Sequence, residues 1–218
     1  MVTKNSPPGI TAFWTMLYRP RETIRSIVKN KSEYQVGLLT VLLGISSTLE
    51  LLSWRNAGDG LPLVYVLLIA LLAGPFIGML LVYIVSILLR WTGGLLGGKA
   101  SRAQVRAAFV WGFLPGIWAL PLWIPKLILF GKELFTSAIP ITQANPVLLQ
   151  TLLVFTAFEL IAAIWSVVLT AINISEVQRL PIRKSWLSVV MCTLIIAIPY
   201  VIVQVLATTL NSRPVTGH

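Results

Sequence analysis

The chain has 218 residues, of which 56% are hydrophobic and 11% charged, with a net charge of +10. That balance lies outside the range of water-soluble domains, and a single cysteine, Cys192, rules out an internal disulfide. The cations gather in loops beside apolar runs, where membrane orientation alone accounts for them, so the high charge points to anionic lipid and not to nucleic acid.

In chain order, residues 1–33 read as a basic amphipathic segment, with Gly9 to Lys31 as one or two helices on the inner surface of a bilayer. Phe13, Trp14, Leu17 and Tyr18 offer interfacial anchors, and Pro20 suits a first helical turn. Arg19, Arg21, Arg25 and Lys29 are placed to meet lipid headgroups, with Ile24, Ile27 and Val28 on the other face.

Residues 34–210 then hold five apolar runs: Tyr34 to Trp54, Pro62 to Leu89, Val105 to Trp123, Val147 to Asn173 and Trp186 to Leu210. Each approaches or exceeds the ~20 residues a helix needs to cross a bilayer, which predicts an all-α, five-span transmembrane bundle. Lys4, Arg19, Arg21, Arg25, Lys29, Lys31, Arg90, Lys99, Arg102, Arg106, Arg179, Arg183 and Lys184 fall on one side of these spans, against Arg55, Lys126, Lys132 and Arg213 on the other. Thirteen against four predicts a cytoplasmic N-terminus and an external C-terminus, with residues 211–218 as a short outside tail.

In the first run Glu50 sits about four residues from the far end, beside Arg55, and reads as an interfacial carboxylate. The second run carries small residues at Ala70, Gly74 and Gly78, a seam for close helix packing, with Pro75 as a bend. The loop after it, Gly93 to Ser101, resembles a phosphate-binding loop but has Ala100 where a hydroxyl is required and follows a helix instead of a strand. Its glycines read as chain punctuation, Ser101 as an N-cap with Gln104 completing a capping box, and Lys99 and Arg102 as headgroup contacts.

Pro115, Pro121 and Pro125, together with Gly112 and Gly116, predict a bend or break in the third span, followed by a short interfacial helix. The fourth run carries Glu159 near its middle. A carboxylate there must face the bundle interior, find a partner or stay protonated. Thr156, Glu159, Ala163, Ser166, Thr170 and Asn173 recur at helical spacing as one small and polar stripe, predicted to pack against the Gly74 seam of the second span. Pro199 could bend the fifth run, and Trp54, Trp91, Trp123 and Trp186 suit an aromatic belt.

No metal-protease or serine-hydrolase signature occurs, His218 is the only histidine, and Asp59 is the only aspartate. A non-enzymatic protein without metal or cofactor is therefore expected. Three stretches resemble the Yip1-domain membrane proteins, in the form of a short prokaryotic-type member. They are Leu17-Tyr18-Arg19-Pro20-Arg21-Glu22-Thr23, then Gly97-Gly98-Lys99-Ala100-Ser101 leading into Trp111-Gly112-Phe113-Leu114-Pro115, and Ile164-Trp165-Ser166 with Glu176-Val177-Gln178.

The resemblance implies a five-span bundle with its N-terminus inside. Eukaryotic members act in vesicle traffic with Rab-type GTPases through a cytosolic N-terminal region and an Asp-Leu-Tyr-Gly-Pro motif. That motif does not occur in this sequence, so the role is not expected to carry over. The expectation is an interaction or membrane-organising protein of a prokaryotic cytoplasmic membrane, with a membrane-protein partner or a second copy as possible companions. The alternative is a small transporter or lipid-translocating protein with Glu159 in a polar path.

Overall fold

The computed structural model describes residues 10–30 and 33–211, with side chains placed for 11–30 and 33–206. Lys4, Lys31 and Arg213 of the cation count, and the tail beyond Asn211, lie outside the described residues. The chain is an all-helical multi-pass membrane bundle. Five helical stretches are long and apolar enough to cross a bilayer: Glu33–Trp54, Leu63–Leu95, Leu114–Phe135, Pro146–Gln178 and Ile182–Leu206.

Helix α1 (Ile10–Tyr18) and helix α2 (Pro20–Lys29) precede the first span, and Pro20 occupies the first turn of α2 as its missing N–H allows. Their apolar side meets protein instead of lipid. Met16 and Ile24 are 0% exposed and Ile27 is 1% exposed, all within the main core of the bundle. Aromatic contacts extend this docking: the Phe13 ring lies 5.1 Å from Trp111 and the Trp14 ring 4.6 Å from Trp118.

Helix α3 (Glu33–Trp54) and helix α4 (Leu63–Leu95) form the closest pair. A Cβ built on Gly44 would lie 2.7 Å from the Gly78 Cα, and one on Gly74 would lie 2.9 Å from the Ile45 Cα, so the two backbones touch where side chains are missing. The Gly74 and Gly78 seam thus packs on the first span and not, as the spacing suggested, on the fourth. Gly44 supplies the matching notch, whereas the fourth span meets α4 through the Gln178 side chain at its end. Pro75 and Pro199 each lie inside a helix that continues through them.

The third apolar stretch is broken. Helix α5 (Arg102–Gly112) is followed by α6 (Leu114–Trp118), a 3-10 turn over Leu120–Leu122, α7 (Trp123–Phe130) and a second 3-10 segment over Gly131–Phe135. Gly112 beside Pro115, then Pro121 and Pro125, interrupt the hydrogen-bond ladder too often for one continuous helix. The spanning stretch consequently begins at Leu114, later than the Val105 expected, and α5 becomes a buried helix of its own with Val105, Ala108, Val110 and Trp111 all 0% exposed. Ser101 and Gln104 cap it reciprocally. The Gln104 N–H donates to the Ser101 hydroxyl at 3.3 Å, and the Ser101 N–H donates to the Gln104 Oε1 at 2.8 Å.

A short α8 (Pro140–Ala144) leads into α9 (Pro146–Gln178), whose start is capped by the Asn145 side chain accepting from the Val147 N–H at 3.0 Å. Helix α10 (Ile182–Asn211) follows. Two cores result. The larger joins α1–α5 with the buried parts of α6, α9 and α10. The smaller, at the opposite end of α3, gathers Leu49, Val66, Ala70, Trp123 and Phe135.

Candidate functional site: an ion pair across the third and fourth spans

Helix α7 starts where Pro121 and Pro125 allow a helical turn to reform, and the Trp123 ring anchors it by stacking on Phe135 at 5.7 Å. Lys126, one turn on, is therefore turned into the protein. It is only 5% exposed, although its place in the sequence suggested an outside loop. Its Nζ donates to the Glu159 Oε1 on α9 at 2.7 Å and lies 4.4 Å from the centre of the Trp123 ring, a cation–π contact. Trp123 is thus a packing residue and not part of an interfacial belt, while Trp54, at 84% exposed, and Trp91, at 55%, face outward.

Glu50 on α3 stands close enough to feel the charges of both Glu159 and Lys126. One ammonium, paired with Glu159, thus also lies within the electrostatic reach of Glu50, at the end of the bundle away from the basic loops. Coulomb attraction in this weakly polar setting offsets the desolvation of Lys126, whose head would otherwise be an uncompensated buried charge. Chemically the pair ties α7 to α9. A pocket of about 410 Å³ between α3, α4, α5, α9 and α10 is bordered by Thr170 and Cys192, and its lining does not include Glu159.

The predicted polar stripe of α9 is divided between two environments. Ser166, Thr170 and Asn173 are buried against α5 and α6. Thr156 and Ala163 are exposed, and the Thr156 hydroxyl donates within its own helix to the Leu152 carbonyl at 3.0 Å. Ser166 repairs the broken third span: its hydroxyl accepts the Gly116 N–H at 3.2 Å and donates to the Ala162 carbonyl at 2.8 Å. Asn173 Nδ2 donates to the Ala108 carbonyl at 3.2 Å, and Thr170 packs on Gly112, where an added Cβ would lie 2.7 Å from the Thr170 Cα. Pro115, in the first turn of α6, is buried as well.

Of the expected headgroup cations, Arg21, Lys29, Lys99 and Arg102 are exposed. Arg19 lies 3.8 Å from Glu22. Arg25 instead pairs with Glu176 at the end of α9, and that hydrogen bond, with the carboxylate's charge, holds its guanidinium above the ordinary arginine range.

Gln178 and Lys126 escaped the sequence reading. Gln178 is 1% exposed, its Nε2 donates to the Leu89 carbonyl at 2.9 Å, and its side chain fills the space above Gly93 and Gly98, so those glycines are packing requirements. Thr92 and Ser188 make a further buried tie, hydroxyl to hydroxyl, at 2.8 Å between α4 and α10.

A sequence model of the Yip1 domain matches residues 14–204, from α1 to α10. The chain belongs to the Yip1-domain family. Comparison with curated proteins and with solved structures gives no match. All three resembling stretches lie inside the matched region, and in this Yip1-domain chain two of them meet in space where Gln178 packs on Gly98.

Proposed function

We propose that this Yip1-domain protein is a non-enzymatic, membrane-organising component of a prokaryotic cytoplasmic membrane, its basic end facing the cytoplasm and anionic lipid, its C-terminus outside. The observation that carries this reading is the Lys126–Glu159 pair. The most conspicuous acid of the spans is held at 2.7 Å by a buried cation, as suits a fixed scaffold better than a carboxylate that must gain and lose protons or release cargo. Faces of α9 and α10 left bare within the chain, such as Phe158, Ile161 and Tyr200, are available to lipid, a membrane-protein partner or a second copy.

One observation favours the transporter reading: Glu50 is a second carboxylate within electrostatic reach of a cation already paired. The two readings part on pH-driven flux in proteoliposomes. The scaffold predicts none for wild type, with Lys126→Met and Glu159→Gln both losing stability in detergent. Flux in wild type that disappears in Glu159→Gln at unchanged stability overturns the scaffold. Orientation is tested separately in a Cys192→Ala background. Cysteines at Ala103 and Arg183 should be protected from an impermeant thiol reagent on intact cells, and those at Gly60 and Ser137 should label; the reverse pattern overturns the topology.

A further inference from the structure

On the outward face of α4, at the basic end, the Gly93–Ser101 loop folds back to border an open depression of about 480 Å³, within the size range of roughly 300–1,000 Å³ typical of small-molecule sites. Three cations line it: Arg90 from α4, Lys99 from the loop and Arg102 from the first turn of α5. None has a carboxylate partner among the described residues, where the ion pairs use Arg19, Arg25, Arg106 and Lys126 instead. Arg90 is held in place through its Nε, which donates to the Ala100 carbonyl at 3.3 Å.

The loop itself is tethered at several points. The Gly98 N–H donates to the Gly93 carbonyl at 2.8 Å, Lys184 Nζ donates to the Leu96 carbonyl at 3.2 Å, Gln178 packs beneath, and the Ser101–Gln104 capping box fixes the far end. The cations are thereby gathered before any anion arrives, against their mutual repulsion.

The remaining wall is apolar. Ile87, Trp91 and Leu95 line the same space, and Trp91 and Leu95 are more than half exposed, on the face of α4 turned away from the bundle. A free phosphate would neutralise the cations and leave this wall bare. A phospholipid fills both halves, with its phosphate among the cations and its glycerol and first methylenes along Trp91 and Ile87.

We propose that Arg90, Lys99 and Arg102 form a specific site for an anionic phospholipid whose head carries two negative charges, either a phosphomonoester or two phosphates. Three unpaired cations in one pocket are better matched by two charges than by the single charge of a diester. The proposal rests on the reading that the basic end meets an anionic leaflet, but its test in detergent is independent of orientation and of flux.

Delipidated full-length protein in uncharged detergent is mixed with phosphatidylcholine, phosphatidylglycerol, phosphatidate or cardiolipin, and retained lipid is measured by native mass spectrometry. Phosphatidate and cardiolipin should be retained at least about tenfold over phosphatidylglycerol. The variant Arg90→Gln/Lys99→Gln/Arg102→Gln should lose that preference, whereas Arg21→Gln/Lys29→Gln/Arg183→Gln, with the same charge change elsewhere, should keep it. Lys99→Gln alone, which removes no tether of the loop, should lower retention several-fold without changing the melting temperature, and this keeps the test valid if the triple variant misfolds. Equal loss in both triple variants, no preference between one and two charges, or displacement by millimolar inorganic phosphate or ATP would each overturn the proposal.

Discussion

The two halves of α9 belong to one apolar spanning stretch but differ in polar content, which is higher from Ser166 to Gln178, and they have opposite surroundings. From Ser166 to Gln178 the helix is locked in place: Leu169, Asn173 and Ile174 are 0% exposed, and the Ser166, Asn173 and Gln178 side chains each bond a backbone group of another helix. From Pro146 to Trp165 it is largely bare, with Leu153, Phe158 and Ile161 each about 60% exposed, and its main polar tie to the bundle is the Glu159–Lys126 pair. Apolar character in a membrane chain therefore says that a segment is in lipid or in protein, not which. In hydrocarbon the hydrophobic effect does not drive helices together, so close packing depends on small residues and on polar groups that find partners.

That contrast can be broken most severely at the charged contact of the bare half. Lys126→Met leaves Glu159 unpaired and should destabilise the bundle by about 3–5 kcal/mol, near the lower end because Glu159 keeps some exposure. The double variant Lys126→Met/Glu159→Leu should recover most of that loss, and a thermal-melt double-mutant cycle in detergent measures the coupling. Two losses that simply add would show that the pair does not tie α7 to α9.

Next in size are the close backbone contacts between α3 and α4 and between α5 and the packed half of α9. Gly78→Ala or Gly112→Ala must push helices apart and should cost about 1–3 kcal/mol, while Gly94→Ala, which meets open space, should be nearly silent in the same melts. Ser101→Ala removes the cap of α5 and should cost about 0.5–2 kcal/mol, read as faster hydrogen exchange at the N-terminus of that helix. The smallest effect belongs to the bare half: Leu153→Ala or Phe158→Ala should shift stability by no more than about 0.5 kcal/mol. A large loss there would mean that this face is covered by a partner that survives purification.

Much of the site was legible once its rules are separated. An acid at the middle of an apolar run demands a counter-charge, and Lys126, in Trp-Ile-Pro-Lys-Leu-Ile-Leu-Phe, is a cation of the spanning stretches with apolar residues on both sides. Charge bookkeeping inside the apolar stretches would have paired it with Glu159. A third run bounded at Trp123 leaves Lys126 in the loop beyond it, whereas the spanning stretch continues through short helices to Phe135. The amphipathic face of α2 was equally visible, but amphipathicity is the same whether the apolar side rests on lipid or on Trp111 and its neighbours.

By itself the sequence determined the membrane environment, the five apolar stretches, the interruption of the third and the capping box at Ser101, because these depend on local length, hydropathy and backbone chemistry. Only the tertiary structure decided which small residues meet, bringing Gly78 to Gly44 and Gly112 to Thr170, which half of α9 is buried, and that Lys126 closes on Glu159. Those are long-range pairings in a medium where apolar surfaces are interchangeable, so they are set by shape and by the few polar partners that come within reach.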